Sequence, residues 1–246
     1  MHVHTREVNT SQEVLNLLQK KQIDFAIVQG DIAYEAANTS MPNLRAITSL
    51  YPKMLAFIIK KDCNISSFKE LKEKNISFSF SSYDTQHTCH KIFQTFDINA
   101  SHPVQTLAQI TQDMKTDKID GFFSLLGHPN QATDALIHEH NLTLIPLFGK
   151  KFDQLKNDNS FFIKGGMPKG VYGLKEDVKS IGVKALLVTT KEMNETTVYN
   201  ITKMILENMD TFKKENPIYR GISKKGLLNK IPISQHKGAT KAFNAL

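Results

Sequence analysis

At 246 residues, with 40% hydrophobic and 22% charged positions, the chain has the make-up of a folded protein of one large domain or two lobes, which excludes disorder, collagen and coiled coil. Its longest apolar runs, such as Met54–Ile59, fall far short of the roughly 20 residues that span a membrane. The net charge of +7 is lysine-based, because only Arg6, Arg45 and Arg220 among the 31 basic residues are arginine; with no block of five like charges, it describes a solvated surface that lets anions approach and excludes a nucleic-acid face.

Thr10-x-x-Glu13 is a capping box, and Val14, Leu17 and Leu18 follow at helical spacing, so a helix is expected from about Ser11 to Lys21. Ile23–Val28 reads as a buried strand that ends at Gln29-Gly30-Asp31, with a helix opening near Ile32. Ala46–Tyr51 and Met54–Ile59 read as two strands broken by Pro52. Ser67-x-x-Glu70 is a second capping box, and Ile76–Phe80 a strand leading into the hydroxyl-rich loop Ser81–Thr85. Helices are expected over Gln86–Phe96, Leu107–Lys115 and Ala132–Glu139, with strands over Ile119–Leu125 and Leu142–Leu147. Gly149–Gly173, rich in Lys, Asn, Gly and Pro, reads as a long excursion around Phe161–Ile163. Val183–Thr189 is a strand, and Thr196–Lys214 one long amphipathic helix with Val198, Ile201, Ile205, Met209 and Phe212 on a single face. The tail from Ile231 ends in a short helix.

Alternating helix and buried strand is α/β grammar. Gln12–Gln29 and Gln109–Leu126 repeat one pattern: amphipathic helix, polar turn, Ile-Asp, buried strand, Gly-containing loop. The echo predicts two lobes built alike.

The sequence holds no Gly-x-Gly-x-x-Gly, P-loop, Gly-x-Ser-x-Gly or His-Glu-x-x-His pattern. His87 with His90, and His138 with His140, have no carboxylate spaced for a metal, and Cys89 beside His90 cannot share a proton with it on one helix. Cys63 and Cys89 could pair only in an oxidising compartment. No catalytic residue, metal or cofactor is expected. In doubly wound sheets, ligands bind beyond the carboxyl ends of the strands. Here those loops bring Gln29, Asp31, Ser82, Tyr83, Thr85, Ser124, Gly127 and His128, with Tyr51 and Tyr172 as aromatic walls or phenol donors.

Several longer stretches resemble the TAXI family of TRAP-transporter solute receptors, also described as immunogenic proteins. They are Ile23–Tyr34, Pro42–Pro52 (Pro-Asn-Leu-Arg-Ala-Ile-Thr-Ser-Leu-Tyr-Pro), Phe68–Lys74, Gly170–Tyr172 with Glu176–Val178, Val183–Thr189, Leu206–Asp210 and Ile231–Ile233 with His236 and Gly238. The resemblance implies a two-lobed periplasmic-binding-protein (Venus-flytrap) fold, each lobe a doubly wound sheet. Lobe one would be residues 1–62 plus 170–246, and lobe two 63–169. It implies a periplasmic or secreted, monomeric receptor that clasps glutamate or a related small carboxylate between its lobes and delivers it to TRAP membrane permease subunits. Departures from the family pattern are the glycine-free loop Ser79–Thr85, Lys53 where an acidic residue is usual, and an opening segment, Met1–Arg6, with no signal-type apolar stretch where relatives carry a signal peptide, a first strand and a Gly-rich loop.

With Arg6 and Arg220 away from these loops, and Arg45 at the start of a strand, the ligand's anion is expected on the hydroxyls of Ser82, Thr85 and Tyr51 and on helix amino ends. The rival readings are a secreted interaction protein of this fold without a transport role, and a transferase built on the same scaffold.

Overall fold

In the computed structural model, residues 4–63, 65, 67–78, 83–97 and 105–245 are described. The chain opens with α1 (Ser11–Gln19), β1 (Ala26–Gln29) and α2 (Gly30–Asn38), followed by the long β2 (Leu44–Lys60). Next come a 3-10 helix (Phe68–Glu73), β3 (Ile76–Phe78), α3 (Tyr83–Phe96), α4 (Leu107–Lys115), β4 (Gly121–Leu126), α5 (Gln131–Glu139) and β5 (Leu142–Ile145). They lead to α6 (Lys150–Asp158), β6 (Ile163–Met167), a 3-10 turn (Val171–Gly173) and the second long strand, β7 (Val178–Thr190). The chain finishes with α7 (Glu195–Glu207), α8 (Met209–Glu215), a 3-10 turn (Pro217–Tyr219), α9 (Lys224–Leu228) and α10 (Lys237–Ala245).

All seven strands join one sheet in the order β1-β7-β2-β4-β3, with β5 also on β2 and β6 also on β7. β2 and β7 run antiparallel from Leu44↔Thr190 to Met54↔Gly182, and their register slips between Ala46 and Thr48 and again between Ser49 and Pro52. The two ends of this ribbon serve different partners. β1 pairs with the Ala185–Val188 end of β7. β4 and β5 pair with the Met54–Lys60 end of β2, and β6 with the Val178–Gly182 end of β7.

Four hydrophobic clusters are formed by the described residues, a small one of Ile47, Val198 and Ala239 and three larger ones. One joins α1, β1 and α2 to the first part of β2 through Leu15, Leu18, Val28, Ala33 and Leu44. The other two lie on opposite faces of the second half of β2, whose side chains alternate between them. Leu55, Phe57 and Ile59 face α3 and α6; Met54, Ala56 and Ile58 face α4 and α5. A strand buried on both faces reads as a continuous apolar run, as Met54–Ile59 does. Phe57 stacks on Phe123 at 4.6 Å, and Phe68 sits 4.6 Å edge-on to Phe96; each fully buried ring contributes about 1.5–3 kcal/mol.

Several elements differ from expectation for definite reasons. Pro52 does not divide two strands: β2 is continuous, because proline falls where the ladder to β7 has already slipped and no N–H is needed. Gly149–Gly173 contains α6 and β6. Phe152 and Leu155 bury at i, i+3, while a side chain at Gly166 would meet Val178 O at 2.1 Å and one at Gly165 would meet Met54 Cε at 3.0 Å. Gly166, which would weaken a strand in isolation, lets β6 press against β7, and Gly165 leaves room for the Met54 side chain of β2. The second capping box forms only a 3-10 helix, its Ser67 hydroxyl donating to Glu70 Oε1 at 2.9 Å. The long C-terminal helix is two helices meeting at Asn208, whose side chain donates to Met204 O at 2.8 Å, and of the expected stripe only Val198 is buried. Cys63 and Cys89 are both unpaired. Ile76–Phe80 and Ser81–Thr85 extend over residues 79–82, which lie outside the described residues.

The β2–β7 crossing depends on Gly182, where an added Cβ would lie 2.2 Å from Lys53 O and 2.9 Å from Met54 Cα, both backbone atoms. Gly182→Ala is therefore expected to cost about 1–3 kcal/mol through overpacking. Urea unfolding should show a lower midpoint at unchanged slope; an unchanged midpoint would contradict this account of the crossing.

Candidate functional site

Three helix amino ends converge beside the crossing. α1 begins at Thr10, whose hydroxyl accepts Glu13 N–H at 3.1 Å. α2 begins directly off β1, with Gln29 as its cap residue and Asp31 in its first turn. α3 carries Asp84 in its first turn. Asp84 reaches across to α1: Ser11 N–H donates to its two carboxylate oxygens at 3.1 and 3.2 Å, and Ser11 Oγ donates at 2.6 Å. An anion on a helix amino end satisfies orphan donors and the dipole together.

Gln29 ties the three ends. Its backbone N–H donates to Ser11 Oγ at 3.1 Å, and its side-chain Nε2 donates to Asp84 O at 3.0 Å and to Thr88 Oγ1 at 2.9 Å. Thr88 passes its own proton to Asp31 Oδ2 at 2.6 Å, and Asp31 Oδ1 accepts Ile32 N–H at 3.0 Å. The remaining face of the Gln29 amide, Oε1, accepts from Lys53 Nζ at 2.6 Å. Burial lowers the Lys53 ammonium from its ordinary value, while Asp84 and Asp31 oppose that shift.

A cavity of about 470 Å³ opens beside this network, walled by Glu7, Asn9, Ser11, Gln29, Tyr51, Lys53, Asp84, Gly127 and Ala185. The 217–219 turn packs on two of its lining residues, Gly127 and Tyr51. The Ile218 side chain lies over Gly127, where a Cβ would meet Cδ1 at 1.9 Å, and the Tyr219 ring meets Tyr51 edge-on at 5.7 Å. Burial, reinforced by Tyr219, raises the Tyr51 phenol. A second cavity of about 400 Å³ lies beyond Asp84, among Glu35, Tyr83 and His87. There Glu35 pairs with Lys91 and lies 3.2 Å from His87 Nε2.

Of the residues singled out in the sequence, Gln29, Tyr51 and Gly127 reach the larger cavity and Tyr83 the smaller. Asp31 is fully buried behind Gln29. Thr85 and Ser124 are fully buried, and neither hydroxyl has a partner among the described residues. Ser82 lies outside the described residues. His128 and Tyr172 engage each other: the phenol donates to Nδ1 at 2.5 Å and accepts Asn130 N–H at 2.8 Å, while Nε2 donates to Met54 O at 3.0 Å. That clamp pins the loop after β4 to β2. Arg45 is occupied by the carbonyls of Pro42 and Leu44 at 2.9 and 2.8 Å. Cys89 is buried, and its thiol is held well above the ordinary range by that burial.

Reading the residues alone did not place Ser11, Lys53, Asp84 and Thr88 in the site. Ser11 and Asp84 are 73 positions apart, so nothing local joins them. The one sequence signal was Lys53, a charge set immediately before the apolar run Met54–Ile59.

Residues 1–244 match the NMT1-like family. Among solved structures, the chain is similar to the periplasmic aliphatic sulphonate binding protein SsuA from Escherichia coli, with a TM-score of 0.53 and 10% identity over 86% of this chain and 65% of that one. It is likewise similar to a structure from work on glutathione import via GshT and the cystine ABC importer TcyBC of Streptococcus mutans. There the TM-score is 0.52 and the identity 12%, over 92% of this chain and 81% of that one. These likenesses show the two-lobed periplasmic-binding-protein fold. The family matched is NMT1-like, and the TAXI subgroup suggested by the sequence stretches is not the one it names.

The His128 clamp carries a pH dependence. Burial pushes the ring from 6.5 down to about 4, against the opposing bond to Met54 O. The unfolded chain therefore takes up a proton near pH 6.5 that the folded chain refuses until about pH 4. The clamp's stability is complete above the unfolded value and is lost as pH falls toward the folded one, by about 3 kcal/mol in all. Denaturant melts between pH 7 and pH 4 should show this slope in the wild type and a shallower one in His128→Gln; equal slopes would refute it.

Proposed function

Because the chain belongs to the NMT1-like family and has a mixed polar cavity at the crossing of its two shared strands, we propose that it is an extracytoplasmic solute-binding receptor. The ligand would be held between two lobes by hydrogen bonds and charge, with no bond made or broken. The cavity carries the proposal: one wall comes from α1 and β1, the other from the Asp84 end of α3 and the loop after β4. About 470 Å³ suits a small metabolite. Among the described residues, no helix is long and apolar enough to cross a membrane. On this reading the receptor would pass its cargo to membrane permease subunits. Within this reading, lobe one holds the residues before and after the crossing and lobe two those between. We set the division inside the long strands, near Tyr51–Pro52 and Val183–Lys184, where the β2 register has slipped and the partners of each strand change. The stretch Pro42–Pro52 supports a TRAP-type permease and a glutamate-like carboxylate as the finer assignment.

Closure follows from the differential contacts of the two states: a ligand favours the closed form only by what it touches there and not in the open form. A transferase reading finds no support in the cavity, where Lys53 is engaged by Gln29 and the His128 ring is tied on both nitrogens.

The experiment is native mass spectrometry of freshly purified protein, followed by calorimetric titration with the retained compound or with a panel of amino and organic acids that includes L-glutamate. One molecule bound per chain, a higher melting temperature and a smaller radius of gyration by X-ray scattering are expected. Failure to retain or bind any small molecule, or chemical turnover of the bound one, would overturn the proposal.

A further inference from the structure

The charges around the larger cavity are unevenly matched. Asp84 is committed to the amino end of α1 through Ser11 N–H and Oγ–H. That end, which in many proteins receives a ligand's anion, here already holds the chain's own carboxylate. Asp31 is committed to its own helix through Ile32 N–H and to Thr88. Asp84 and Asp31 thus each have a helix amino end to answer them, and neither hydrogen-bonds the lysine; Glu7 also stands in the cavity wall.

Lys53 stands on β2 beside the crossing, with its side chain half-buried in the cavity wall. Its one hydrogen bond goes to Gln29 Oε1, a neutral acceptor, at 2.6 Å. The orientation of that amide is fixed, because its Nε2 is held by Asp84 O and Thr88 Oγ1. An ammonium has three N–H donors, so Lys53 keeps donors for the cavity. Asp84 and Asp31 stand near enough to help keep its proton in place, but among the described residues no carboxylate contacts the ammonium, so a cation with spare donors faces the cavity.

Building on the receptor reading, we propose that Lys53 is the specificity-determining residue of this cavity and seats an oxyanion group, carboxylate or sulfonate, of a small organic ligand. The amino end of α1 does not, because Asp84 fills it. A lysine acts as a point charge without the planar fork of arginine, so the site selects for charge and tolerates either oxyanion geometry.

The test uses the whole chain with succinate, L-glutamate and ethanesulfonate as anions and succinamide as the uncharged counterpart, titrated into wild type, Lys53→Met and Lys53→Arg. Wild type should prefer at least one anion over the amide. Lys53→Met should bind that anion about 10- to 100-fold more weakly, and Lys53→Arg should recover most of the loss. Circular dichroism of each variant checks that it is folded; a merely structural lysine would leave the anion-over-amide preference intact in Lys53→Met. Equal anion affinity in wild type and Lys53→Met, or wild-type preference for succinamide, overturns the role of Lys53 and leaves the receptor reading standing. A wild-type protein that binds no panel member and retains no compound in native mass spectrometry removes both. The carboxylate and sulfonate arms separate the two sources of the oxyanion.

Discussion

The antiparallel pairing of β2 with β7 is the constraint on which the rest of the molecule hangs. Seventeen residues of β2 and thirteen of β7 belong to both ends of one sheet, and each strand changes its outer partner partway along. A sheet built this way has no linker between its halves, so any change in their relation must be absorbed where the ladder is irregular. The slip between Ser49 and Pro52 is such a place. Proline removes a ladder donor there, and two positions on, Gly182 opposite Met54 lets the two backbones touch. The cavity opens beside this same irregular segment, with Tyr51 and Lys53 flanking Pro52 in its wall.

A second level of organisation is polar. Ser11, Gln29, Asp31, Thr88 and Asp84 form a buried chain of hydrogen bonds in which the amide of Gln29 is used on both faces. In a low-dielectric setting a satisfied network rigidifies, and a half-satisfied one is expensive. Bonds between neutral groups contribute about 0.5–1.5 kcal/mol net and those to the Asp84 and Asp31 carboxylates about 1.5–3. Water or a ligand can take over these α3 contacts with α1 and α2, whereas nothing replaces the packing of the aromatic body around Phe57, Phe68 and Phe123. If the lobes divide at the crossing, α3 moves with the second lobe and α1 and α2 with the first. The polar chain is then the part of the structure able to open, and the apolar bodies are the parts that stay whole.

Sequence periodicity revealed the apolar bodies well. Val14, Leu18, Met54–Ile59 and the strand after Asp120 all lie where alternation or helical spacing put them. It failed where glycine and proline were taken as breakers. At Pro52, Gly165 and Gly166 these residues serve close strand approach, a tertiary reason that no local window contains. It also failed at α7 and α8, where Ile201, Ile205, Met209 and Phe212 keep helical spacing without being fully buried. The site was legible in its loops but not in its partnerships. Gln29, Tyr51 and Gly127 were reached by the rule that ligands sit beyond strand ends. His128 came from the same rule and Tyr172 as an aromatic wall, and their polar ring atoms prove to be used in holding that loop in place.

The placement of Lys53 and Asp84 bears most directly on chemistry. A carboxylate on the amino end of α1 removes a donor set that a neutral residue would leave open to a ligand. The two residues act as one exchange: the negative pole of the cavity is internal and already answered by a helix, while the positive pole is displaced onto the strand and answered only by an amide oxygen. Fold likeness at 10–12% identity fixes the scaffold; on the proposal above, the placement of Lys53 gives this cavity its own selectivity.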